Sequence, residues 1–108
     1  MSDGYKVIYS PAAFDDIRNI YLYIAQELQV PDTAQNQVNR IRNAIRALDF
    51  MPNRYSLVEW EPWKGMQVHK VPVDNYIVYY MVEEQAHTVT VVRIFYDGQD
   101  AESIIRSQ

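Results

Sequence analysis

The chain has no cysteine, three glycines and two histidines among 108 residues. Lack of cysteine excludes disulfides, thiolate chemistry and cysteine-ligated metal, and with only His69 and His87 a histidine metal site is not expected. No metal or other cofactor is therefore anticipated. No apolar run approaches the roughly 20 residues that a membrane span needs. Met1–Ser10 also lacks the apolar centre of a signal peptide, so the expectation is a cytoplasmic protein with no membrane partner. Cations are scarce as well. The formal charge is −4, with five basic and six acidic side chains in residues 1–50 and five and eight in residues 51–108. That balance argues against strong non-specific capture of nucleic acid, because such affinity comes from neutralising phosphates with Lys and Arg, and a local basic patch would have to be assembled from few residues.

What the chain does have is apolar material, at 48% of residues, enough for one core and a single domain spanning residues 1–108. Tyr76–Glu83 opens with seven consecutive apolar or aromatic residues, many β-branched, and reads as a strand in the middle of a sheet. Thr88–Tyr96 has the same character, and the polar Glu83–His87 segment between them reads as a hairpin loop. Gln67–Val73 is a weaker strand, separated from Tyr76 by the turn-tolerant pair Asp74-Asn75. Its alternation slips, since Val68 has one parity and Val71 and Val73 the other, so a bulge is expected near His69-Lys70 unless Pro72 alone disturbs an edge strand.

The N-terminal half is helical. Lys6–Tyr9 is β-prone, and Ser10-Pro11 places an N-cap and a first helical residue. Ala13, Phe14, Ile17, Ile20, Tyr21, Ile24 and Leu28 then form one helical stripe running to about Gln29, with Asp15 and Asp16 in the first turn. After Val30-Pro31-Asp32, a second stripe runs through Ala34, Val38, Ile41, Ile45 and Leu48 and stops before Pro52. Two such helices with a short connection pack as an antiparallel hairpin. Its outer face carries Arg42 and Arg46, either as an interaction patch or as a solvated surface, beside Tyr23 and Ala47. The segment 52–65 holds Trp60 and Trp63 and reads either as a lid on the core or as a recognition surface. A short helix capped by Asp100 ends the chain. The expected architecture is α+β: a four-stranded antiparallel sheet in the order β-α-α-β-β-β, with the helix hairpin packed on one face.

Four segments carry a family resemblance in their order along the chain: Tyr9-Ser-Pro-Ala-Ala-Phe-Asp-Asp-Ile, Leu48-Asp-Phe-Met-Pro, Asn75-Tyr-Ile-Val-Tyr-Tyr, and Val92-Arg-Ile-Phe-Tyr-Asp-Gly-Gln-Asp. Together they make nearly the whole chain resemble the RelE/ParE family of toxins from bacterial type II toxin-antitoxin (plasmid stabilization) modules. The resemblance implies inhibition of bacterial growth. Its targets in that family are messenger RNA in the ribosome, cleaved by a metal-independent endoribonuclease, or DNA gyrase. A third reading is a catalytically degenerate member acting only through its antitoxin or another protein partner. The cleaving members need a base, a cation on the developing phosphorane and an acid. Carried over by motif position, the candidates are His69, Lys70 and Tyr96, and Arg93 joins them as a cation near the proposed site. Tyr76 and Gln99 stand where basic residues are common in the family. The resemblance also implies an antitoxin partner, for which Tyr23, Arg42 and Arg46 are the candidate contacts.

Overall fold

A computed structural model describes residues 4–108. Its elements are β1 (Lys6–Tyr9), α1 (Pro11–Leu22), α2 (Pro31–Arg46), β2 (His69–Val73), β3 (Tyr76–Glu83), β4 (Thr88–Tyr96) and α3 (Ala101–Arg106). The chain continues past α1 as a π-helical turn over Tyr23–Glu27 and past α2 as a 3-10 turn over Ala47–Asp49. Both helices begin as the residues require. Ser10 Oγ accepts from the Ala13 amide at 3.0 Å with Pro11 in the first turn, and Pro31 opens α2.

The sheet runs β1-β4-β3-β2. β2, β3 and β4 form the expected antiparallel meander, but β1 lies parallel to β4, so the sheet is mixed. The free edges explain the choice. Beyond β2, Ser56 O accepts from the Lys70 amide at 2.9 Å, the Val58 amide donates to Val68 O at 2.8 Å, and Pro72 has no amide hydrogen to offer. Only β4 is left to receive β1.

The hairpin covers one face with Ala13, Ile17, Val38, Ile41, Ile45 and Leu48, meeting Val71, Val78, Tyr80, Val89, Val91 and Ile94 of the sheet. The opposite face is covered too. There Val58, Trp63, Val68 and Ala101 enclose Tyr79 and Phe95, and Trp60, Ile104 and Ile105 pack at the margin. The tryptophan segment is thus a lid, with Trp63 stacked on Trp60 at 5.0 Å and tilted against Tyr79 at 4.8 Å. Two covered faces also account for the parity of β2. Val68 serves one core and Val71 the other, so β2 pairs with β3 without interruption and the bulge expected at His69-Lys70 is not there. The irregularity is in β4 instead: register passes from Tyr79↔Arg93 to Tyr80↔Val91, leaving Val92 unopposed.

Beyond Tyr9, β1 ends, and α1 closes the rest of the β4 edge. Ser10 N donates to Val91 O at 2.9 Å and Ser10 Oγ donates to Val92 O at 2.9 Å. Asp16 Oδ2 accepts from the Ile94 amide and from Arg93 Nε, both at 2.8 Å, and Arg93 Nη2 reaches Asp16 Oδ1 at 3.0 Å. The pair is largely covered, with side chains 12% and 20% exposed. Asp15 and Asp16 lie past the first turn of α1, which begins at Pro11 and holds no acidic residue there, and Asp16 turns both oxygens to β4. An unpaired strand amide and a desolvated guanidinium are costly to leave.

Asp16→Ala removes a bidentate ion pair and strands the Ile94 amide, and the expected loss is about 3 kcal/mol. It is read as a lower urea midpoint at unchanged slope, and a loss below about 1 kcal/mol would refute this account of the edge. A second expectation concerns alkaline pH. Burial first, then Tyr55, pushes the Tyr80 phenol well above its ordinary value near 10, against a smaller opposing effect of Arg54. Tyr80 OH donates to Pro52 O at 2.6 Å. A folded value above the unfolded one gives stability that is complete below pH of about 10 and declines as pH rises further. Urea midpoints across alkaline pH should follow that decline, and Tyr80→Phe should flatten it at a cost of about 1 kcal/mol.

Candidate functional site

His69, Lys70, Arg93 and Tyr96 do not come together. His69 is 7% exposed, stacks on Tyr80 at 5.1 Å, and has Nδ1 2.8 Å from Tyr55 O. A carbonyl only accepts, so Nδ1 carries the proton and the ring is held as a buried structural donor. Lys70 is exposed and pairs in register with Tyr79, which puts it on the face opposite to His69. Tyr96, 51% exposed, ends β4 opposite Tyr76. His69 is level with Tyr80 and Tyr96 with Tyr76, so about 13 Å of strand separates them, filled by core side chains.

Arg93 is committed. Its partner is Asp16, and the guanidinium also lies over the Phe95 ring at 4.5 Å. The bulge at Val92 precedes both Arg93 and Tyr96 and therefore leaves their opposite parity unchanged. Only the length of the Arg93 side chain, wrapping the β4 edge, lets both line one cleft. That cleft, of about 900 Å³, lies between the end of α1, the start of α2 and the adjoining ends of β3 and β4. Its aromatic residues include Tyr23, Tyr76 and Tyr96, with the Tyr76 and Tyr96 rings edge to face at 5.8 Å. Burial raises the Tyr76 phenol above its ordinary value, and neighbouring Tyr96 and Tyr23 raise it further. Such a cleft offers aromatic planes and neutral polar groups. It lacks the free cation that phosphoryl chemistry uses.

Free cations are found elsewhere. Arg42 lines two adjoining depressions, of about 320 Å³ with Phe14, Asp15, Ile17, Arg18, Tyr21 and Val38, and of about 210 Å³ with Val7, Tyr9, Ile45 and Arg46. Among the described residues Arg18, Arg42 and Arg46 form no ion pair, and Arg46 only donates to Asn43 Oδ1 at 2.7 Å. Arg40, their neighbour on α2, is taken by Asp74 at 2.7 Å. The depressions run to the outer edge of β1, beside which no strand lies among the described residues. Tyr9 stands at that edge, its phenol raised by burial although Arg42 and Arg46 oppose the shift, and it packs on Phe14 at 5.2 Å. Tyr23 is not part of this strip; it belongs to the cleft.

Sequence reasoning missed Arg18, Tyr9 and Phe14 in the strip and Asp16 at the β4 edge. Phe14 was assigned to the apolar stripe, yet it is 56% exposed. A signal existed, because Ala13, Ile17, Ile20 and Ile24 already complete a stripe at spacings of three and four, from which Phe14 is offset by one position.

The sequence of residues 7–101 matches the family model for the ParE toxin of the type II toxin-antitoxin system parDE. No curated protein sequence matches the chain. Among solved structures, the chain is similar to one from the chromosomal ParDE system of P. aeruginosa, with TM-score 0.71, 18% identity, and 88% of this chain and 98% of that one covered. It is also similar to a chain of the RelBE2 toxin-antitoxin complex of Mycobacterium tuberculosis, with TM-score 0.62, 16% identity and coverage of 89% and 94%. A third likeness is to the isolated RelE toxin of E. coli, with TM-score 0.54, 13% identity and coverage of 96% and 99%. At these identities the structural likeness is one of fold, and it is the RelE/ParE-like α+β fold that the sheet and hairpin build. The match over residues 7–101 makes the chain a member of the ParE toxin family of type II toxin-antitoxin systems.

Proposed function

We propose that this toxin arrests bacterial growth by binding its target, with DNA gyrase as that target, and not by cutting RNA. One observation carries the reading. Among the described residues, the only cation that lines the cleft with Tyr96, Arg93, is neutralised by Asp16 at 2.8 Å, while His69 is buried and Lys70 lies on the other face. Cleavage needs those groups around one phosphate. Expression of the chain alone should leave messages intact while DNA breaks accumulate and a damage response is induced. Codon-phased cuts in messenger RNA would instead establish the nuclease and return His69, Lys70, Arg93 and Tyr96 to a catalytic role. Unaffected growth would remove toxicity itself.

The cognate partner is an antitoxin, as in the complexes whose toxin chains share this fold. Its arm is acidic, covers Arg42 and Arg46, and meets the open edge of β1. Support comes from unpaired cations beside an unpaired strand edge on a chain of net charge −4. Main-chain pairing supplies affinity at such an edge, and charge selects the partner. Replacing Arg42 and Arg46 together by Glu should weaken the complex tenfold or more, about 1.4 kcal/mol, with the circular dichroism spectrum preserved. Unchanged affinity at low and moderate salt would take the arginines out of the contact.

A further inference from the structure

We propose that the cleft at the open end of the helix hairpin is a docking site for an extended, uncharged, proline-bearing segment of a partner protein. The first argument is charge. Of the residues lining the cleft only Asp16 and Arg93 are charged, and they neutralise each other through two hydrogen bonds. A phosphate finds no free cation there, and a basic segment finds no free carboxylate. The occupant that matches is neutral.

Hydrogen bonding gives the second argument. Among the described residues, the side-chain amides of Asn19 and Asn75 and the phenols of Tyr23, Tyr76 and Tyr96 have no hydrogen-bond partner, and all line the cleft. These groups are neutral, and each can donate a hydrogen bond as well as accept one. A polyproline II segment is their complement, because it has no internal hydrogen bonds and presents every carbonyl outward. Gln37 and Gln99 are not available in this way, since Gln37 Nε2 donates to Asp74 and Gln99 Oε1 accepts from the Tyr96 amide.

Shape gives the third. Tyr76 and Tyr96 meet at 74°, forming an angled aromatic floor, and Tyr23 stands across from them, 56% exposed. The π-helical turn at Tyr23–Glu27 offsets the chain that follows, and Leu28 and Val30 beyond it are 53% and 40% exposed on the same cleft. Aromatic ridges separated by notches hold proline rings, and a segment already extended gives up little entropy on docking. The site is distinct from the arginine strip in both place and chemistry.

The test uses the full chain labelled with nitrogen-15 and a capped peptide of repeated Ala-Pro-Pro units. Saturable shifts of the Asn19 and Asn75 side-chain amides and of the Leu28 and Val30 backbone amides are expected, with a Kd below about 1 mM. Replacing every proline of the peptide by alanine should weaken binding tenfold or more. Tyr96→Ala and Tyr23→Ala should each do the same while the rest of the spectrum is kept, and Arg42→Glu with Arg46→Glu should leave peptide binding unchanged. Three results would overturn the proposal: no saturation, equal binding of the proline-free peptide, or a response of these amides to adenosine and not to the peptide.

Discussion

A single carboxylate, Asp16, ties the first helix to the edge of β4 that β1 leaves open. β1 is only four residues long and reaches no further than Val91 on β4, so the remainder of β4 needs another neighbour. The start of α1 supplies it, first through Ser10 and then through Asp16, which takes the Ile94 amide and Nε and Nη2 of Arg93. The strand edge is thereby completed by a helix. The hairpin is fixed relative to the cleft by the same contact, because Asp16 and Arg93 form part of the cleft wall.

Functional consequences follow from that geometry more than from the fold. A family scaffold with an arginine near a terminal tyrosine suggests phosphodiester chemistry, but a guanidinium satisfied by a carboxylate has little left for a phosphate. The aromatic contacts that extend from it, Phe95 to Tyr79 at 5.9 Å and Tyr79 to Trp63 at 4.8 Å, join the edge to the core under the tryptophan lid. Arg93 therefore acts as the end of a structural chain. Charge available for recognition is concentrated instead on Arg18, Arg42 and Arg46, at the free edge of β1.

Two surfaces of different chemistry result. One is basic and borders an unpaired strand, a combination that favours an acidic chain able to add to the sheet. The other is neutral and aromatic, at the open end of the hairpin, where α1 loosens into a π-helical turn. Kept apart in this way, the basic surface can be covered by an antitoxin without occluding the aromatic one.

The order of elements, both helix starts, the Asp100 cap and the meander were legible in the sequence, because each rests on patterns among residues a few positions apart. Ser10-Pro11, Val30-Pro31 and the Asp74-Asn75 turn are local chemistry, and they folded as local chemistry requires. Other features depended on which segments meet. Val68 misled because one covered face was assumed where there are two. The placement of β1 beside β4 followed from β2 losing its edge to Ser56–Val58 and Pro72, and the bulge at Val92 from pairing that no single strand encodes. The partner of Arg93 lies 77 residues away, on a helix whose acidic residues looked destined for its own N-terminus. Sequence by itself determined the elements and the family. Tertiary structure decided which charges remain free, because a cation is available to a ligand only when folding has not already given it a carboxylate.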